Sequence, residues 1–370
     1  TGRLAQKAGG SILIKQGDNV VLATVTMSNP REGLDFFPLT VDLEERHYAI
    51  GQIPGSFFRR EGRPTTHAIL TDRLIDRPIR PLFPKGFKNE VQVIATTLSS
   101  DREIPLDIIA LNGVSAALSI SNIPFNGPIA ATRIGYIDGE FVINPTYSQI
   151  EESLLDLVVA GSTDGVSMME AGAKEVDEDV VFEAIQLAQS VNLEIISLQQ
   201  DFADEIGTPK SDFVPKGHDP EAVKQAREIL GDRIYTAMSD AEDQEDMRNR
   251  LKVLEDELEE SLSEEFDSSV SAGAFEELLD EQFRVRILKD GVRPDGRGLR
   301  EIRSLSAEVA ILPRTHGTGL FNRGETQILG VTTLGSSGDA QKLDNLSPEV
   351  SKNFMLHYNF PPYSVGEARR

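Results

Sequence analysis

The strongest constraint on this chain is a recurrence. Gly10-Ser11-Ile12-Leu13-Ile14-Lys15-Gln16-Gly17-Asp18 aligns without gaps with Gly317-Thr318-Gly319-Leu320-Phe321-Asn322-Arg323-Gly324-Glu325. The following arms, Val20-Val21-Leu22-Ala23 and Gln327-Ile328-Leu329-Gly330, fall in step. The first string reads as a β-hairpin: an apolar, β-branched run, a Gly17-Asp18 turn, and a second apolar run. Further on, Phe57-Phe58-Arg59-Arg60 is paralleled by the terminal Glu367-Ala368-Arg369-Arg370. Turn, glycine and strand recurring in the same order indicate an internal duplication. The second copy is expected to be cut off, and a start at Thr1 rather than Met is expected of a fragment or a processed form.

What separates the copies is helical. With 370 residues there is room for two or three domains, each with its own core. After the first hairpin, Thr65 is placed to cap a short helix through Asp76, with Ala68, Ile69, Leu74 and Ile75 on one side and Pro78 ending it. Residues 90–98 read as a strand, and 106–121 as a helix whose Gly113, Ala116 and Ala117 suit close packing on a sheet. Strands are expected at 129–137, 141–143 and 155–161, then a long helix from Asp177 to Phe202 with Val180, Val181, Ala184, Ile185 and Leu187 inward. Sheets with helices in mixed order define the α+β class. Composition shifts at Thr208-Pro209-Lys210 and again at Val214-Pro215-Lys216-Gly217, and Asp219-Pro220-Glu221 is a helix start. Leu251, Leu254, Leu258 and Leu262 then recur at helical spacing among acids. The expected division is 1–207, a small acidic all-helical domain over 208–290, and the duplicated β unit over 291–370.

Charge is unevenly spread. The net charge of −23 argues against a simple nucleic-acid coat protein. Residues 219–290 hold 22 acids and 9 bases, a balance of −13, and the Glu255-Asp256-Glu257-Leu258-Glu259-Glu260 run reads as a solvated face. Residues 59–88 hold eight Lys/Arg and three acids, a local +5. Screening over roughly 8 Å at physiological salt lets the two regions act separately if they lie far apart.

The basic stretch opens on Pro54-Gly55-Ser56-Phe57-Phe58-Arg59-Arg60-Glu61-Gly62-Arg63-Pro64. Gly and Pro on both sides make it an exposed loop. Adjacent flat rings beside guanidinium groups suit single-stranded nucleic acid, where bases stack and phosphates pair with Arg. Arg73, Arg77 and Arg80 follow. The competing reading is an ordinary apolar loop with solvated charges.

Other chemistries find little support. There is no P-loop and no H-E-x-x-H, and Gly317-x-Gly319 lacks the third glycine of a dinucleotide loop, so it reads as a hairpin turn. The five histidines, 47, 67, 218, 316 and 357, have no metal-ligand spacing. His357 reads as ending a strand, where it would either line a site or pack. Zero cysteines rule out disulfides and thiolate metal sites and fit a reducing cytoplasm. No signal peptide, lipidation motif or membrane span is visible; the longest uncharged run, 108–132, reads as a buried helix plus loop.

Six strings are specific enough to compare with known families. Three are Gly51-Gln52-Ile53-Pro54-Gly55-Ser56-Phe57-Phe58-Arg59-Arg60-Glu61-Gly62-Arg63, Arg73-Leu74-Ile75-Asp76-Arg77-Pro78-Ile79-Arg80-Pro81-Leu82-Phe83-Pro84, and Ile123-Pro124-Phe125-Asn126-Gly127-Pro128-Ile129. The others are Leu155-Asp156-Leu157-Val158-Val159-Ala160-Gly161, Arg293-Pro294-Asp295-Gly296-Arg297 and His357-Tyr358-Asn359-Phe360-Pro361-Pro362-Tyr363-Ser364-Val365-Gly366-Glu367. Together they resemble the polynucleotide phosphorylase family of the ribonuclease PH-like superfamily. The resemblance implies tandem ribonuclease PH-like domains separated by a helical domain, the first being the non-catalytic copy. It implies a 3′-to-5′ exoribonuclease that uses inorganic phosphate, releases nucleoside diphosphates, runs in reverse as a 3′ polymerase, and needs a divalent ion, usually Mg2+. It further implies a cytoplasmic homotrimeric ring with single-stranded RNA in its channel, and an RNA-degradation complex with an endonuclease or helicase as a possible setting.

Carried over by the resemblance, Phe57 and Phe58 would stack on bases, and Arg59, Arg60, Arg63, Arg73, Arg77 and Arg80 would contact phosphates. The family's catalytic and metal-binding residues are expected after Arg370, so no catalytic or metal residue is assigned within the chain, and this chain by itself is expected to be inactive. A non-catalytic, ring-forming RNA-binding scaffold of the exosome-core type is the alternative. An enzyme using the arginines for a phosphorylated metabolite is a weaker one, since exposed Phe57 and Phe58 make little sense there.

Overall fold

The structure, a computed structural model, describes residues 1–30, 36–55, 57–213 and 219–369. Ser56, Arg370, His218 and the composition shift at Val214-Pro215-Lys216-Gly217 therefore lie outside the described residues. The chain forms two compact units, Thr1–Glu301 and Ile302–Arg370.

In the first unit, β1 (Gly10–Gln16) and β2 (Asn19–Ser28) form the expected hairpin, paired from Gly10↔Val25 to Gln16↔Asn19. The turn needs a left-handed residue, which Gly17 supplies at φ +59°. β3 (Leu39–Glu44) runs through a long loop into α1 (Thr66–Ile79) and then β4 (Glu90–Ser99). β3 and β4 are parallel, so the connection between them must cross over, and α1 packs on β3 as it does so. The sheet order is β1-β2-β4-β3. α2 (Leu106–Ile120) covers β1 and β2 and is buried along most of its length. Gly113 of α2 lies against Ile14 and Ala23, where a Cβ would sit about as close as packing allows.

The second sheet is antiparallel, ordered β6-β5-β7-β8: β5 (Ala130–Ile137), β6 (Glu140–Ile143), β7 (Leu155–Ser162) and β8 (Gly165–Ala173), with the short α3 (Tyr147–Glu152) before β7. α4 (Glu178–Ile206) packs its Ala184 and Ala188 against Ile134, Leu155, Leu157 and Val159. Its inner stripe also carries buried amides. Asn192 accepts from Thr132 Oγ1 at 2.8 Å and donates to the Val159 carbonyl at 3.1 Å; Gln199 donates to the Ile129 carbonyl at 2.8 Å. Asn192 is bonded through both ends of its amide, so its burial carries little penalty, whereas the Gln199 Oε1 is buried without a hydrogen-bond partner among the described residues.

α5 (Pro220–Leu230), α6 (Arg233–Ser239), α7 (Gln244–Leu262) and α8 (Ser268–Asp290) enclose a core that includes Leu251, Leu254, Leu258 and Leu262. Asp219 caps α5, accepting from the Glu221 and Ala222 amides, with Pro220 at the first turn. No helix among the described residues is long and apolar enough to cross a membrane.

The second unit holds β9 (Leu305–Val309), β10 (Gly317–Arg323) and β11 (Thr326–Thr332), ordered β11-β10-β9. The β10/β11 register runs from Gly317↔Thr332 to Arg323↔Thr326, around Gly324 at φ +59°. Every pair matches its β1/β2 counterpart at one constant offset. A second likeness follows: the 3₁₀ turns His47–Ile50 and Pro362–Val365 both end on a left-handed glycine, Gly51 and Gly366, whose N–H bonds back into the turn.

The α+β class stands as expected, with local corrections. Gly317-x-Gly319 starts strand β10 and is no turn, because Gly324-Glu325 closes that hairpin. Pro78 lies inside the last turn of α1, which continues to Ile79, and Ile69 faces solvent rather than the core. His357 is exposed and lies in no strand.

Candidate nucleic-acid interface

The loop between β3 and α1 begins where a parallel strand ends, a place where chain is free to serve binding because the flanking strand and helix fix its two ends. Phe57 is 92% and Phe58 77% exposed, and their rings meet edge to face with centroids 5.2 Å apart. Full exposure of two such rings forgoes roughly 1.5–3 kcal/mol of burial each, so the core does not account for them. Backbone geometry turns the chain sharply here: Arg59 is left-handed at φ +53° and Gly62 at φ +71°. Arg59, Arg60 and Arg63 are exposed beside the rings. Among the described residues, Arg59 and Arg63 have no ion-pair partner.

The loop's own acid does not neutralise these arginines. Glu61 turns inward and accepts from the His47 backbone N–H at 3.1 Å and from His47 Nδ1 at 2.5 Å. Beside it, the buried Glu45 carboxylate accepts from Thr65 Oγ1 at 2.5 Å and His67 Nδ1 at 3.1 Å. Burial pushes the Glu45 carboxyl up, but the hydrogen bonds from His67 and Thr65 outweigh it and hold the group below its ordinary range. The Glu45 hydrogen bond in turn raises the His67 imidazole, against the opposing effect of burial. Thr65 also caps α1, accepting from the Ala68 amide at 3.1 Å, so the loop's exit is fixed by the same side chain.

The α1 arginines are in three different situations. Arg73 is exposed and has no ion-pair partner among the described residues. Arg77 pairs with Glu170 of β8 at 3.2 Å, both exposed, a pairing worth little in water. Arg80 grips Asp76 through two bonds of 2.8 and 2.9 Å, donates to the Phe37 and Leu39 carbonyls, and lies over the Phe37 ring. Arg80 thus fastens the end of α1 to the start of β3, a structural duty the sequence did not reveal. Asp72, also on α1, accepts from the Leu43 amide; burial raises its carboxyl to about 6.

Among the described residues no group of three His, Asp or Glu side chains could hold a metal ion. Asp107 at the start of α2 and Asp156 of β7 converge, but on the Arg133 guanidinium that they share. The magnesium implied by the resemblance has no fitting ligand set among those residues.

Residues 1–124 match domain 1, and residues 127–191 domain 2, of the 3′ exoribonuclease family. The chain belongs to that family. Over its whole length it is similar to polyribonucleotide nucleotidyltransferases. That of Heliobacterium modesticaldum is 50% identical over 374 residues, which is 100% of this chain and 52% of the relative. That of Roseiflexus sp. is 48% identical over 376 residues, 100% of this chain and 50% of the relative. The chain therefore spans about half the length of these curated relatives. A solved chain of the Archaeoglobus fulgidus exosome with RNA bound to the active site is similar at 19% identity and a TM-score of 0.44, covering 54% of this chain and 85% of that one.

Proposed function

We propose that this chain supplies the RNA grip of a phosphorolytic 3′-to-5′ exoribonuclease. The observation that carries the reading is the ring pair: Phe57 and Phe58 stand almost fully in solvent beside Arg59, Arg60 and Arg63, while Glu61 is turned away. Stacking on such rings contributes about 1–3 kcal/mol per base, and it is indifferent to sequence because every base has a π-face. Arg59, Arg63 and Arg73 are the first candidates for binding phosphates, and Arg60, exposed in the same loop, is a further one. Arg77 would have to leave Glu170, and Arg80 its anchor on Asp76 and two carbonyls, so these two rank last.

The enzyme we envisage cleaves RNA with inorganic phosphate, releases nucleoside diphosphates, reverses to extend a 3′ end, and serves mRNA turnover in the cytoplasm. Bond cleavage needs fixed donors around phosphate and stabilisation of the leaving 3′ oxygen. We assign neither role to a side chain here; the second ribonuclease PH-like domain is proposed to carry them, together with the magnesium site. Three subunits in a ring, threaded by RNA past the Phe57/Phe58 loop, and association with an endonuclease or helicase belong to the same proposal. So does the three-part division at 207/208 and 290/291, which the separate core of α5–α8 supports.

The test is electrostatic. Replacing Arg59 and Arg60 by Gln should flatten the slope of log affinity for oligo(A) against log salt by about 0.7 for each phosphate no longer neutralised. An unchanged slope removes both from the interface. Robust ADP release by the 370-residue chain from poly(A), phosphate and magnesium would overturn the assignment of catalysis to other residues.

A further inference from the structure

Two rings that are 92% and 77% exposed cannot be held by packing, and the aromatic contact of each is with the other. Their position must come from the loop that carries them, and that loop is closed at its neck by two reciprocal pairings. On the entering side stand Glu45 and His47; on the leaving side stand Glu61, Thr65 and His67. The carboxylate of each side meets an imidazole of the other: Glu45 accepts from His67 and Thr65, and Glu61 from His47 through both its backbone and its ring. His47 and the Glu45 side chain are buried, so these bonds are made largely out of water, where charge-assisted hydrogen bonds are strongest.

We propose that this double imidazole–carboxylate neck is the positioning device for the Phe57/Phe58 ring pair, with Glu61 and Glu45 acting on RNA binding through the loop and not by touching RNA. The proposal rests on the RNA-gripping reading and adds what presents the rings. A binding loop fixed before its ligand arrives loses less freedom on binding, and here the fixing is done by groups that titrate. The imidazole of His67 faces Glu45, Asp107 and Arg133, and its raised pKa keeps it charged beyond the range of a free histidine. A base raised in the folded state stabilises below its ordinary pKa and loses that contribution as pH rises through the raised value. The neck therefore loosens on the alkaline side.

The chain contains no tryptophan, so Phe58→Trp places one reporter at the tip while keeping a stacking ring. Its fluorescence anisotropy reads the loop, and binding of a short oligo(A) reads the function. Glu61→Ala in that background should lower the anisotropy and weaken RNA binding about tenfold, within the range of one unstacked base. Glu61→Gln, whose amide oxygen still accepts from His47, should restore more than half of both. Without either substitution at Glu61, the reporter's anisotropy should fall as pH rises from about 6 to 9. Unchanged anisotropy in Glu61→Ala overturns the proposal, as does a loosened loop that binds RNA with undiminished affinity. Should Glu61→Ala fail to fold, Glu61→Gln and the pH series decide, and an anisotropy flat across that range overturns the neck. Undiminished RNA binding by Phe57→Ala/Phe58→Ala would instead remove the RNA reading, while the anisotropy series still reports separately whether the neck holds the loop.

Discussion

The hairpin β1/β2 and the hairpin β10/β11 share a register residue for residue, and they differ in burial. In the first, Ile12, Val21, Ala23 and Val25 are buried; in the second, every residue of β11 is exposed. Hairpin register is therefore a local property here, fixed by a left-handed glycine and its two-residue turn. Burial is not local. It is conferred on the first hairpin by α2, which approaches so closely that a Cβ at Gly10 would strike the α2 backbone and one at Gly113 would press on Ile14.

That contrast can be broken most forcefully at Gly10. A Cβ there would lie 2.3 Å from the Ala117 carbonyl oxygen, whereas at the equivalent Gly317 it would meet Thr332 at an ordinary 3.5 Å. Gly10→Ala should destabilise the fold by about 3 kcal/mol, since backbone must move, and Gly317→Ala should stay within about 0.5 kcal/mol, both read by urea unfolding. Val25 and Thr332 occupy matching places in the two registers, and only the first is buried. Val25→Ala should cost about 2 kcal/mol and Thr332→Ala almost nothing.

The turn glycines sharpen the comparison from the other side. Gly17 and Gly324 both sit at φ +59°, so the backbone strain of alanine should be about the same at either, near 1 kcal/mol. Only at Gly324 would the new Cβ also meet a side chain, Arg303 at 3.1 Å, so any excess cost there reads how readily that flexible arginine gives way. A smaller effect concerns the same sheet's far edge, where Asp72 holds the Leu43 amide and burial raises its carboxyl to about 6. A raised carboxyl favours the fold below its ordinary pKa of 3.8 and loses that contribution as pH rises through about 6. Asp72→Asn should thus stabilise the protein near neutral pH by about 1 kcal/mol after allowance for solvent screening, and the gain should vanish below about pH 4. Thermal midpoints across a pH series would reveal it.

Much of this architecture was legible because it is periodic. The first hairpin, α2, the long α4 and the leucine stripe of α7 each announce themselves through repeat spacing or turn residues. β8 did not: its run of small and polar residues, exposed along most of its length, lacks the alternation of a half-buried strand. At the site, Gly and Pro punctuation correctly pointed to an exposed Phe57 and Phe58. The partners of the arginines were hidden, since Glu170 reaches Arg77 only through the packing of β8 near α1. The neck was hidden for the same reason. His47 and His67 looked scattered because their carboxylate partners are brought beside them by the crossover from β3 to α1, and spacing along the chain carries no trace of that pairing.

The central claim, that the paired rings stack on unpaired bases, is tested most directly by measuring how Phe57→Ala/Phe58→Ala changes affinity for single-stranded and for duplex RNA of the same length. Loss confined mainly to the single strand, by about 1–3 kcal/mol per base unstacked, is the predicted result. Equal loss for both, or none for either, would contradict it.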